Sequence, residues 1–126
     1  MHPIIERCAG LDVHQATVTA TVRTPDGHGS RHAITETFGT TTAALLTLRD
    51  WLQAHGVTHV AVESTGVYWK PVYYVLEDQF TLLLVNAQHL KQVPGRKTDV
   101  QDSGWIAQLL ECGLLRSSLV PPPAIR

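Results

Sequence analysis

Cys8-Ala9-Gly10-Leu11-Asp12-Val13-His14 is the stretch on which the reading of the fold turns. It reads as a buried first strand within Arg7 to Gln15, mostly apolar, with an acid in its middle. A buried carboxylate is costly unless it is paired, hydrogen-bonded or on a metal, so Asp12 asks for partners elsewhere in the chain. Downstream, Thr17, Thr19 and Thr21 alternate with Val18, Ala20 and Val22 up to Arg23. That period of two predicts a half-buried antiparallel strand. Pro25-Asp26-Gly27 is a turn, Pro setting φ and Gly supplying positive φ. His32 to Phe38 then returns as a third strand, completing a meander.

Beyond the meander the period changes. Thr40, Thr41 and Thr42 offer N-caps, and Ala44, Leu45, Leu48, Trp51, Leu52 and His55 recur at helical spacing until Gly56 stops the helix. Val57 to Glu63 is a short β-branched run, read as a buried parallel strand reached by a helical crossover. Glu63 falls at its C-terminal end, where open α/β sheets keep their ligand sites. Ser64-Thr65-Gly66 turns the chain into a helix over Tyr68 to Asp78, with Pro71 tolerated in its first turn. Val72, Val75 and Leu76 are its apolar stripe, and Phe80 to Val85 is another buried strand.

Asn86 to Lys91 reads as a short helical turn and Gln92 to Lys97 as a loop. The last helix runs from Thr98 to Cys112, with Ile106, Leu109 and Leu110 inward and Gly113 as its stop. Thr98 and Gln101 have the spacing of a capping box. Pro121-Pro122-Pro123 forbids helix and sheet and reads as the start of a linker over 121–126, leaving one domain over 1–120. No internal repeat is present. The order β-β-β-α-β-α-β-α predicts an α/β domain with a mixed sheet: three antiparallel meander strands, then parallel crossover strands.

The chain has 126 residues, enough for one core, and its 17% charged content against 44% hydrophobic excludes a disordered chain. The longest apolar run, Phe80 to Val85, is far too short to span a bilayer, and Met1 to Glu6 lacks a secretory layout. A cytoplasmic protein with no membrane partner is expected. Cys8 and Cys112 are isolated thiols, which fit a reducing compartment and form no metal pattern. A net charge of −1 means that nucleic-acid binding needs a local basic patch.

Four acids stand in informative places: Asp12 in mid-strand, Glu63 at a strand end, and Asp99 and Asp102 three residues apart on the last helix. If the first and fourth strands are neighbours, Asp12 and Glu63 lie side by side, and a helix on that face brings the other two over them. Four converging carboxylates cannot all ionise without cations. Mg²⁺ prefers oxygen ligands, and two such ions about 3.5–4 Å apart suit phosphodiester cleavage. The bland alternative has Asp12 capping or bulging a strand, Asp99 serving the helix dipole and the rest solvated.

The remaining candidates each have two readings. Lys91, Arg96 and Lys97 sit beside the acids and either hold phosphate or are simply solvated, and Lys70 is a further phosphate contact of the same kind. Tyr68 and Trp69 either stack on a base or pack in the core. His55 and His59 are four apart, but Gly56 breaks the helix between them, so zinc is rejected. His14 either supports the metal site from behind Asp12 or closes the hairpin, and the hairpin is favoured.

Gly10-Leu11-Asp12-Val13-His14, Glu63-Ser64-Thr65-Gly66-Val67-Tyr68-Trp69 and Gly95-Arg96-Lys97-Thr98-Asp99-Val100-Gln101-Asp102 together resemble the DEDD insertion-sequence transposases, the IS-one-ten group. The three blocks come in that family's order, and the resemblance runs from about Ile5 to Val120. It implies an N-terminal RuvC-like domain of the ribonuclease H-like fold, with Asp12, Glu63, Asp99 and Asp102 as catalytic, metal-binding acids. It implies Mg²⁺ as cofactor, with Mn²⁺ as substitute, and DNA as substrate for strand cleavage and joining during transposition. An element-encoded guide RNA and full-length transposase subunits are the further partners implied. Family members continue into a coiled-coil arm and a second catalytic domain with a nucleophilic serine. This chain ends at Arg126, so it is expected to be a fragment, incomplete alone and at most a weak dimer. Ser64 and Ser103 are read as turn and helix-surface residues rather than as that nucleophile. The rival readings are a stand-alone RuvC-like junction nuclease and an inactive remnant or binding module. An actin-like ATPase would need glycine-rich phosphate loops, and none is present.

Overall fold

The computed structural model describes residues 4–64, 66–86 and 102–115. Strands β1 (Cys8–Val13), β2 (Thr17–Pro25) and β3 (Arg31–Gly39) form the meander. Helix α1 (Thr42–Ala54), strand β4 (His59–Ser64), helix α2 (Trp69–Leu76), strand β5 (Thr81–Asn86) and helix α3 (Asp102–Glu111) follow. The sheet order is β3-β2-β1-β4-β5. β1 pairs antiparallel with β2 and parallel with β4, and β5 adds parallel to β4. The mixed sheet expected from the sequence is therefore present. The capping box at Thr98 and Gln101 and the proline run lie outside the described residues, as does most of the turn and loop expected between Asn86 and Lys97.

Local chemistry explains the element ends. The Thr41 hydroxyl accepts from the Ala44 amide at 3.2 Å, capping α1. Gly56, at φ 70°, closes that helix, and the Val57 amide reaches back to the Leu52 carbonyl at 3.2 Å. In the β2–β3 turn the Asp26 carboxylate accepts from the amides of His28 and Ser30 at 2.7 and 3.1 Å. Gly113, at φ 70°, follows α3 as its stop.

The period of two divides the sheet residues between two faces. Ala9, Leu11, Val13, Val18, Ala20, Val22, Val60 and Val62 meet Leu45, Leu48 and Leu52 of α1 and Val72 and Leu76 of α2 in the larger core. Cys8, Ala61 and Val85 point the other way, to Trp105, Ile106, Leu109 and Leu110 of α3. By alternation Gly10, Asp12, Thr21 and Glu63 share this second face. The half-buried antiparallel reading of β2 holds, with Val18, Ala20 and Val22 buried and Thr17 exposed, except at Thr21, which is 2% exposed because α3 covers that part of the threonine face. No helix among the described residues is long and apolar enough to cross a membrane.

Candidate metal centre

Asp12 and Glu63 meet because of strand register. The parallel pairing of Leu11 with Val62 puts the next residues of the two strands level with each other. Asp102 comes from the first turn of α3, laid across the same face. One carboxylate oxygen from each of Asp12, Glu63 and Asp102 lies within 4.8 Å of the other two. Asp12 and Glu63 are half-buried and Asp102 is exposed. The three border an open depression of about 360 Å³ that His14, Gly66 and Tyr68 also line.

The electrostatics are those of acids brought together with too little positive charge. Burial first, then the charge and hydrogen bond of Asp12 and the charge of Asp102, together push the Glu63 carboxyl up from its ordinary 4.5 to about 7. His14 partly offsets this, with its Nε2 3.2 Å from Asp12 Oδ2. Its amide also donates to the Thr17 carbonyl at 2.8 Å. The two readings of His14 are therefore compatible: the backbone closes the hairpin while the ring leans on Asp12. Either a proton on Glu63 or a divalent cation relieves such crowding. The donor set is all oxygen, clustered and open on one side, and so suits a hard divalent ion that keeps water or phosphate as further ligands.

The other expected site residues separate. Asp99, Lys91, Arg96 and Lys97 lie outside the described residues. Lys70 is exposed on α2. Trp69 is corrected as a nucleic-acid contact. It is 9% exposed, packed in the larger core with its ring edge-on to Tyr73 at 5.7 Å, so its faces are not free to stack on a base. Tyr68, one residue earlier, is 45% exposed on the rim of the depression. Ser103 is corrected as well. It is 1% exposed, and its hydroxyl lies 2.8 Å from that of Thr21, so it is no surface residue. Neither Gly10 nor the Ser103–Thr21 pair was singled out in the sequence. The only available signal was the threonine stripe of β2, which resembles any solvent-facing stripe.

A mixed sheet with carboxylates converging from two adjacent parallel strands and a covering helix is a RuvC-like, ribonuclease H-like fold. In overall structure the chain is similar to Thermus thermophilus RuvC, with a TM-score of 0.60 and 13% identity over 89% of this chain and 99% of that one. It is also similar to the fowlpox virus Holliday junction resolvase, with a TM-score of 0.50 and 10% identity over 64% and 60% of the two chains. At such identities the likeness is one of fold. The sequence model described as the DEDD transposase of the IS110 type matches residues 9–126. The chain belongs to that transposase family. No curated protein matches its sequence significantly.

Proposed function

We propose that this chain is the metal-dependent DNA-cleaving domain of its transposase, with Asp12, Glu63 and Asp102 as its catalytic acids and Asp99 as the fourth. The convergence of the first three within 4.8 Å, from β1, β4 and α3, carries the reading. The resident ion is Mg²⁺, with Mn²⁺ as substitute. When bound, a pair of such ions supplies charge stabilisation to the attacking and leaving oxygens of a phosphodiester. The chain's own residues do the rest. Asp12 and Glu63 hold their oxygens level across the β1–β4 seam, and Asp102 closes the set from above. Glu63 would hold the ion through its ionised carboxylate, while His14 restrains Asp12. The open side of the depression admits a DNA backbone, and Lys70, Lys91, Arg96 and Lys97 contact its phosphates. The nuclease unit spans 1–120, with a linker beginning at 121–126. Full-length transposase subunits and an element-encoded RNA are its partners, and the cytoplasm its location.

Thermal unfolding with and without Mn²⁺ tests this on the parent and on Asp12→Ala. An ion that binds only the folded state raises Tm. A rise of several degrees at millimolar Mn²⁺, abolished by Asp12→Ala, is expected. An equal rise in both proteins, or none in either, sinks the assignment.

A further inference from the structure

Asp102 is the first residue of α3, so the seat of that helix on the sheet decides where the third carboxylate lies. Much of that seat is apolar: Trp105, Ile106, Leu109 and Leu110 press on Cys8, Ala61 and Val85. Apolar contact is non-directional and tolerates a helix that slides or rolls slightly. Three other features remove that freedom. A Cβ on Gly10 would overlap the Ala107 nitrogen and the Ser103 carbonyl oxygen and stand 2.9 Å from Ile106 Cβ, so the helix backbone lies directly on β1. At the far end of the helix Glu111, 3% exposed, receives Arg23 at 2.8 Å and Arg31 at 3.0 Å. Beside Asp102, the Ser103 hydroxyl meets the Thr21 hydroxyl at 2.8 Å, and Thr21 in turn meets Thr35 at 2.7 Å.

A buried hydroxyl pair ordinarily does no more than satisfy itself. This one differs in its place. Ser103 is the residue next to Asp102, and its partner is anchored on β2 rather than on the strands that carry the other acids. The pair therefore fixes the roll and height of the helix one residue away from a carboxylate that must land within a few ångströms of two others. Neither hydroxyl lines the depression.

We propose that Thr21 and Ser103 are positioning residues of the metal centre, whose buried hydrogen bond holds the Asp102 carboxylate against Asp12 and Glu63. The proposal rests on the metal-binding reading above. Outer partners of this kind typically alter metal affinity by about 10- to 100-fold.

The experiment is a Mn²⁺ titration of the whole chain, following free Mn²⁺ by electron paramagnetic resonance. Thr21→Val, Ser103→Ala, the double variant and Thr21→Ser are compared with Leu48→Ala, a core change on the opposite face. The expected Kd rises about 10-fold in each of Thr21→Val and Ser103→Ala, and the double variant is no worse than either, because one bond has been removed. Thr21→Ser, which keeps the hydroxyl, stays within about threefold of the parent. Leu48→Ala, although less stable, stays within about twofold, so a general loosening of the fold is not what the titration reads. An unchanged Kd in folded Thr21→Val and Ser103→Ala, with a parent that binds, overturns this proposal alone. A parent that binds no Mn²⁺ overturns the metal reading and this role with it. Should Thr21→Val fail to fold, Ser103→Ala carries the same comparison, because it leaves the threonine ladder of β2 and β3 intact.

Discussion

The two faces of the sheet are built from the same strands and are packed in opposite ways. The face under α1 and α2 is filled with large branched side chains: Leu11, Val13, Val18, Val22, Val60 and Val62 against Leu45, Leu48, Leu52 and Leu76, all 2% exposed or less. The face under α3 is close and partly polar. Gly10 admits a helix backbone, Thr21 and Ser103 exchange a hydrogen bond, and Arg23 and Arg31 converge on Glu111. The first arrangement is adaptable, since neighbouring side chains can shift to fill a small loss. The second allows little adjustment, since backbone contact and directional bonds each have one good geometry. The acids sit on the second. In this domain stability and site geometry therefore belong largely to different faces and can be separated by mutation.

The largest expected effect on stability is on the adaptable face. Leu48 is wholly buried, and Leu48→Ala should cost about 2–5 kcal/mol by transfer and cavity terms. Its metal-induced rise in Tm should persist, since none of Asp12, Glu63 and Asp102 rests on that helix. Chemical denaturation with and without Mn²⁺ checks both parts. Loss of the metal response in a still-folded Leu48→Ala would break the separation of the two faces. Gly10→Ala should cost less, about 1–3 kcal/mol for overpacking, because α3 can lift off without exposing the larger core. Yet it should remove the metal response altogether, by carrying Asp102 away from Asp12 and Glu63. A Gly10→Ala protein that binds Mn²⁺ like the parent would show that the helix can shift without moving the site.

The same contrast explains what the sequence made legible. The α1 and α2 face was open to reading because its signals are periodic: alternate Val and Ala on β2, and Leu45, Leu48 and Leu52 at helical spacing. Asp12 and Glu63 were legible because an acid in a buried strand, and one at a strand's C-terminal end, are both exceptions to a pattern. The α3 face was not legible in the same way. Its threonines alternate as a solvent-facing stripe does, and only a helix distant in sequence turns Thr21 inward. Ser103 looked like a surface residue because nothing local distinguishes a helical serine facing water from one facing another hydroxyl. Trp69 and Tyr68 are adjacent in sequence, and which of them reaches the core depends on how α2 is rotated on the sheet.

The smallest effect expected is on pH dependence, and it sharpens the contrast because only the α3 face carries the group responsible. In the folded chain the Glu63 carboxyl is raised to about 7 from its ordinary 4.5, first by burial and then by the charge and hydrogen bond of Asp12. A raised folded-state pKa means that the native state holds the proton more tightly than the unfolded chain does. The associated stability is fully present below about pH 4.5 and is lost as pH rises through about 7. Each pH unit of difference corresponds to about 1.4 kcal/mol at most, and solvent access at the open depression reduces the total to about 1–2 kcal/mol. In a chelator, the parent should therefore lose stability between pH 5 and pH 8, and Glu63→Gln should flatten that part of the slope. A cation competes with the same proton, so the Mn²⁺-induced rise in Tm should grow over this window and oppose the loss. The decisive quantity is the difference between parent and Glu63→Gln. Identical slopes for the two proteins in chelator would mean that Glu63 is ionised well below pH 7 in the fold, and that crowding of the acids by Asp12 and Asp102 is relieved without a metal.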